Sequence, residues 1–472
     1  MDPIAGLLKG FALLAVPGNL LSLVAGVFLG TVVGVLPGLG PIRAMAVLLP
    51  LSFPLQATAA LILMAGIFYG AQYGGSTTSI LMNIPGESTS VVTCLDGYQM
   101  TKRGRAGAAL TVSAVGSFVA GTIAVVLLMV FAPMLGQVAL KFGPAEYFAL
   151  TVFGLMVLSR LTGGGLAAAF MLVAIGLALR TVGLEQTFGI ARYTFGSLDL
   201  WQGLELTPIV VGLFGIAEVL TVAEEKSGAA QIHSVPLREL LPTREEWRRS
   251  VGPILRGTAV GFPFGLIPGP AVILSTFASY ALEKRLSRHP DEFGKGAIEG
   301  VAGPESANNA AAGATLVPLL SLGIPFAPPT ALLLAAFVIH GIQPGPLLMT
   351  EHPDVFWGLV ASMYAGNVML LILNLPLVGL FVTILRLRQD LLLTLIVLMS
   401  IIGVYSVNNS VFDLIVMLVM ALVGYAMRKL RLSAATLVLP LVIGTLMEQS
   451  FIRALMVAKG DLRYFVDRPV AF

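Results

Sequence analysis

Residues 30–40 read GTVVGVLPGLG, and residues 257–270 read GTAVGFPFGLIPGP. Both open Gly-Thr-x-x-Gly and run through apolar residues to a Pro-Gly turn, Pro37-Gly38 in the first and Pro268-Gly269 in the second. A second pair of stretches follows them. Residues 73–89 read YGGSTTSILMNIPGEST, and residues 304–330 read PESANNAAAGATLVPLLSLGIPFAPPT. Each passes from small polar residues through an apolar stretch to an Ile-Pro step, Ile84-Pro85 and Ile324-Pro325. Pro37 and Pro268 stand 231 positions apart, and Pro85 and Pro325 stand 240 apart. So nearly constant an offset predicts two copies of one structural unit.

The medium in which those copies fold follows from composition. The chain has 472 residues, 57% of them hydrophobic and 11% charged, and a mean hydropathy of +0.91. Soluble domains carry about 25% charged residues, so this chain has too little charge to solvate a surface in water. The expectation is an all-α polytopic membrane protein of about 10–12 transmembrane helices. A formal net charge of +3 gives no reason to expect a nucleic-acid partner. The single cysteine, Cys94, and four scattered histidines exclude a disulfide framework and make a transition-metal site improbable. No cofactor is expected. Neither a Walker motif nor a G-x-S-x-G elbow is present, so ATP hydrolysis by that route and elbow-type nucleophilic catalysis are not expected.

Apolar runs of roughly spanning length fall near 11–35, 56–75, 107–131, 145–159, 163–180, 200–222, 326–340, 355–385, 390–405, 408–427 and 433–447. They divide the chain into a first half at 1–222, a polar linker at 223–250, a second half at 251–450 and a tail at 451–472. The positive-inside rule puts Lys102-Arg103-Arg105, Lys284-Arg285-Arg288, Arg386-Arg388 and Arg428-Lys429-Arg431 on the cytoplasmic side, with the linker. In the first half the basic cluster follows the second motif; in the second half it lies between the motifs. Equivalent loops thus carry opposite signals, as expected of an inverted repeat with broken helices or re-entrant hairpins.

In hydrocarbon every backbone polar group needs a partner, so a Pro-Gly break is tolerated only where it lines a protein cavity. There freed carbonyls can hold a cation and helix N-termini a carboxylate. Candidates for ion binding or helix breaking are Pro37, Gly38, Gly40, Pro85, Gly86, Pro268, Gly269, Gly323 and Pro325. Candidates for substrate contact are Ser76, Thr77, Thr78, Asn83, Ser306, Asn308 and Asn309. The hydroxyl run around Ser76 has a plain alternative in helix packing, and Asn308-Asn309 in a helix cap. Glu87, Asp96 and Glu305 could titrate or ligate sodium, although Asp96 could equally cap a helix.

The stretches GVLPGLGPIRAMAVLLPL, YGGSTTSILMNIPGESTSVVTCLDGYQMTKRGRAGAAL and FGKGAIEGVAGPESANNAAAGATLVPLLSLGIP resemble the large membrane subunit of the tripartite tricarboxylate transporters, the TctA family. The resemblance covers about residues 15–450. It implies a non-enzymatic subunit of a bacterial inner-membrane importer that couples an organic di- or tricarboxylate to sodium or protons. It also implies two partners, a small membrane subunit and a periplasmic substrate-binding protein. Carried over by position are Pro37, Gly38, Gly40, Gly74, Gly75, Ser76, Asn83, Pro85, Gly86, Pro268, Gly269, Asn308, Asn309, Gly323 and Pro325. Phe326 stands where the family commonly has Gly, which leaves either a stiffer tip or a contact with solute. A passive channel or exporter of small organic anions is the alternative function.

Overall fold

The computed structural model describes residues 2–36, 40–83, 85–160, 166–185, 189–224, 240–377 and 389–467. Pro37 and Gly38 lie outside the described residues, as do Arg386, Arg388 and most of the linker. The described chain is helical apart from a two-stranded hairpin, β1 (Gly183–Leu184) and β2 (Ala191–Arg192). In the first half the helices are α1 (Pro3–Leu14), α2 (Pro17–Val35), α3 (Gly40–Leu48), α4 (Ala57–Met82), α5 (Val91–Lys102), α6 (Ala106–Ala139), α7 (Pro144–Arg160), α8 (Leu166–Arg180), α9 (Leu206–Val210) and α10 (Ala217–Glu224). A π-helical stretch, Val211–Ile216, joins the last two. In the second half they are α11 (Arg244–Gly265), α12 (Ala271–Leu286), α13 (Glu299–Ala314), α14 (Leu316–Leu322), α15 (Pro328–Ile339), α16 (Leu348–Glu351), α17 (Pro353–Asn374), α18 (Gln389–Asn408), α19 (Val411–Lys429), α20 (Ala434–Val457) and α21 (Arg463–Val466). Among the described residues six stretches are long and apolar enough to cross a bilayer: α2, α4, α6, α17, α19 and Thr436–Val457 within α20. The chain is an all-α polytopic membrane protein.

Some boundaries differ from the apolar runs. The run at 11–35 is divided at Pro17, which starts α2 and ends its continuity with α1. The run at 56–75 continues to Met82, because small polar residues face protein and not lipid there. Helices α11 and α13 lie in no predicted run. The first carries Arg244, Glu245, Glu246, Arg248 and Arg249 in its opening turns, and the second is rich in Gly, Ala and Asn. α11 also begins inside the segment 223–250, so the second half starts earlier than its sequence suggests.

The duplication is visible as contact geometry. In the first half α2 lies on α4 through glycine. A Cβ added to Gly26, Gly30 or Gly34 would stand 2.4, 2.4 or 2.3 Å from the carbonyl oxygens of Leu63, Ile67 and Ala71. In the second half α11 lies on α13 in the same way, Gly257, Gly261 and Gly265 meeting the carbonyls of Gly303, Ala307 and Ala311 at 2.2, 2.2 and 2.1 Å. The glycines are related by the 231 offset of the Pro-Gly turns, and their partners by the 240 offset of the Ile-Pro steps. Spacing of four residues puts these glycines on one helix face, and close backbone approach is how helices associate in lipid. Contact indices rise together, so each pair is parallel and the helix between them, α3 or α12, must return.

The second motif repeats just as closely. Asn83 and Gly323 end α4 and α14 in the left-handed conformation, with φ of 57° and 74°. Four residues on, Ser90 Oγ accepts from the Glu87 amide at 3.3 Å, and Thr330 Oγ1 accepts from the Ala327 amide at 3.1 Å. Across the repeats, Ser76 of α4 meets Glu305 of α13 at 2.6 Å. Gln72, a turn earlier in α4, instead shares a cavity with Ala312, two turns later in α13. The two repeats are thus joined at Ser76 and Glu305, and residues of both line one cavity.

Loops assigned to one side of the membrane also meet. Arg105 Nε donates to Glu246 at 2.9 Å, and Arg249 joins Glu292 at 2.5 Å and Glu299 at 2.8 Å. These pairs gather the 102–105 loop, the start of α11 and the loop after α12. Lys429 joins Glu224 at 2.5 Å, bringing the α19 loop to the end of α10. Asp96 ties the segment before α13 to α5 and α12: it accepts from the amides of Gly296 and Ala297 at 2.7 and 2.9 Å and from Tyr280 Oη at 2.8 Å.

If glycine contact holds each repeat together, Gly261→Val should cost about 3 kcal/mol or more and sharply reduce the monodisperse protein recovered in detergent. Gly18→Ala, where a Cβ meets nothing within 4 Å, should leave recovery and melting temperature unchanged. Normal behaviour of Gly261→Val would refute the contact.

Candidate functional site

A cavity of about 500 Å³ lies where the two repeats meet. Helix starts surround it: the first turn of α3 (Gly40–Arg43), the turn Ser88–Ser90 that leads into α5, the start of α12 at Pro270, and the start of α15 at Ala327. Four chain segments thus direct N-terminal ends at one space. Such ends carry unsatisfied amides and partial positive charge, which favour an anion. Among the described residues that line the cavity, Arg43 is the one cation and Glu87 the one carboxylate.

The lining follows the repeat. Pro41 and Ile42 correspond to Val272 and Ile273 at the 231 offset, and all four line the cavity. Gln72, Glu87, Ser88 and Thr89 correspond to Ala312, Ala327, Pro328 and Pro329 at the 240 offset, and again all line it. The cavity therefore sits on the local two-fold relation, but its walls differ in chemistry. The first repeat supplies charge, amide and hydroxyl. The second supplies methyl groups, proline rings and the Thr315 hydroxyl, and its prolines remove backbone donors. Arg43 corresponds to Leu274, which is 52% exposed and outside the lining.

Glycine lets these segments approach. Gly40 has φ +55°, and a Cβ there would lie 3.3 Å from Glu87 Cβ. A Cβ on Gly86 would lie 2.2 Å from Gly75 Cα, so the turn after α4 rests directly on α4. In the second repeat the Gly269 amide donates to the Phe326 carbonyl at 2.9 Å, joining its two turns. Gly40, Gly86 and Gly269 line the cavity. Gly323 does not; it caps α14 beside Pro344. The Phe326 ring packs among Ala139, Leu322 and Ile324, outside the cavity lining.

Beside the cavity is a buried polar cluster. Glu305, 1% exposed, accepts from Ser76 Oγ at 2.6 Å, from Ser113 Oγ at 3.2 Å and from Thr93 Oγ1. One carboxylate thereby joins α4, α5, α6 and α13. Asn309 Nδ2 donates to Ser117 Oγ at 2.7 Å and to the Glu305 carbonyl at 3.1 Å. Asn308 Nδ2 reaches Glu87 Oε1 at 3.4 Å, while its buried Oδ1 has no partner. The unpartnered buried oxygens also include Gln72 Oε1 and Thr89 Oγ1, both on lining residues.

The residues singled out in the sequence separate accordingly. Ser76, Asn308 and Asn309 enter the cluster behind the cavity. Thr78 Oγ1 donates to the Gly75 carbonyl at 3.0 Å and Ser306 Oγ to the Ala302 carbonyl at 2.8 Å, each bonding its own helix. Thr77 is buried in α4, Asn83 is exposed at its end, Pro85 is half-buried, and Pro325 is buried. Pro268 is half-buried next to Gly269. Sequence reasoning passed over Arg43, Gln72 and Thr89. Arg43 had a usable signal, as a lone cation within an apolar run; the other two had none beyond their proximity to the motif.

Comparison with known proteins agrees with the sequence. Two proteins of Agrobacterium vitis are similar. One, described as an uncharacterized 52.8 kDa protein in the TAR-I ttuC' 3'region, is 47% identical over 471 residues, covering 100% of this chain and 94% of that protein. The other, an uncharacterized protein in the TAR-II ttuC' 3'region, is 48% identical over 211 residues, 45% of this chain and 87% of its own length. No solved structure matches. The profile of the tripartite tricarboxylate transporter TctA family matches residues 20–439, and the chain belongs to that family.

Proposed function

We propose that this chain is the large membrane subunit of a secondary active importer that brings an organic di- or tricarboxylate across the bacterial inner membrane. Sodium is the coupling ion, a small membrane subunit completes the membrane unit, and a periplasmic binding protein delivers the substrate. The observation that carries this reading is the cavity on the relation between the repeats, ringed by helix N-termini and containing Arg43. Such a site suits carboxylate groups, since backbone amides and a guanidinium stabilise negative charge with little reorganisation. Its place between two copies of one unit suits alternating access, in which one body moves against the other around a central site. The apolar wall of the second repeat would lie against the carbon skeleton of the solute. The substrate is moved and not altered.

Two experiments test the reading. In proteoliposomes containing this chain and its small partner, with binding protein and labelled citrate outside, uptake should require both the binding protein and an inward sodium gradient. Uptake indifferent to both would indicate a passive conduit. Arg43→Gln should raise the half-saturating citrate concentration at least tenfold, about 1.4 kcal/mol, with Arg43→Lys intermediate. Wild-type saturation by Arg43→Gln would remove Arg43 from the site.

A further inference from the structure

Glu87 is a carboxylate in an anion-binding cavity, and none of the ion pairs among the described residues includes it. The side-chain hydrogen bond from Asn308 Nδ2 is long at 3.4 Å, and the Thr89 hydroxyl stands beside the carboxylate. Its stem is fixed by backbone: hypothetical Cβ atoms on Gly40 and Gly75 would lie 3.3 and 3.7 Å from Glu87 Cβ and Cγ. Around it are oxygens that have no hydrogen-bond partner. Gln72 Oε1 and Thr89 Oγ1 belong to residues 3% and 7% exposed that line the same cavity, and Asn308 Oδ1 belongs to the amide that touches Glu87 and is 1% exposed. Buried oxygens without donors are costly unless something positive binds them.

One carboxylate, two amide oxygens and a hydroxyl make a hard, all-oxygen set with a single formal negative charge, matched to a hard monovalent cation. We infer that Glu87, Gln72, Thr89 and Asn308 form a sodium site that opens onto the carboxylate cavity. The inference rests on the transport reading above and adds to it a means of coupling. With Glu87 uncompensated, its charge repels a carboxylate entering beside it. Sodium on Glu87 removes that repulsion and presents positive charge to the solute. By linkage, each ligand then strengthens binding of the other by the same factor. Glu305 is different: hydroxyls of Ser76, Thr93 and Ser113 already bond its carboxylate.

The test uses the full chain in lipid nanodiscs, in sodium chloride against choline chloride at equal ionic strength. Wild-type protein should bind citrate at least tenfold more tightly in sodium. Glu87→Gln should bind citrate with one affinity in both salts, which also shows that the variant is folded. Thr89→Val, which keeps the charge but loses a ligand, should need several times more sodium for the same effect. A wild-type sodium response retained by Glu87→Gln would overturn the site. So would citrate binding by the wild type that ignores sodium and strengthens only as pH falls, since Glu87 would then take a proton. Should citrate bind to neither protein, the melting temperature decides. A rise with sodium in the wild type that Glu87→Gln abolishes supports the ion site while the carboxylate reading fails; no rise overturns the site itself.

Discussion

The structure depends on helices brought close enough for backbone to touch backbone. Gly26, Gly30 and Gly34 in one repeat, and Gly257, Gly261 and Gly265 in the other, set a parallel pair of helices against each other with no side chain between them. Lipid offers no hydrophobic gain for helix association, so close van der Waals packing must supply it. Two parallel helices in contact also oblige the chain between them to turn back within the protein. That constraint is met by the return helices α3 and α12, which stand between the members of each pair. The same closeness stacks Gly86 on Gly75, so the second turn of the first repeat folds back onto its own helix.

Two such units direct their helix starts at a shared space. The geometry is symmetric and the chemistry is not. Gln72, Glu87, Ser88 and Thr89 face Ala312, Ala327, Pro328 and Pro329 across the cavity, equivalent positions throughout. A symmetric set of charges would have buried two carboxylates and two cations around one solute. Placing the charged groups on one repeat avoids that electrostatic burden.

Much of this was legible in the sequence, and the limits have physical causes. The offsets of 231 and 240 were fixed by proline and glycine because those residues mark backbone geometry, which duplication preserves. Hydropathy did not find α11 or α13, because the first opens on charged turns and the second is fully buried in protein and needs no apolar surface. The hydroxyl run at Ser76 and the amides at Asn308-Asn309 were recognisable as polar groups too costly to leave idle. Their partners were not recognisable: Ser76 meets Glu305 across 229 residues, and Asn308 meets Glu87 across 221. Contacts between repeats depend on how two units dock, and nothing local records that.

The two carboxylates of the interface show why docking matters. Glu305 and Glu87 both lie where the two repeats meet, and sequence alone left them the same possible roles. Glu305 receives hydroxyl donors from three different helices, so its bonds are internal to the protein and hold α4, α5 and α6 to α13. A group satisfied in this way has little to gain from a ligand. Glu87 has a long amide contact from Asn308, with Thr89 beside it, and lines an open cavity. Burial asks both carboxylates for compensation, and the fold answers one with its own hydroxyls. The other borders the cavity, and that difference separates a carboxylate that joins four helices from one that faces open space.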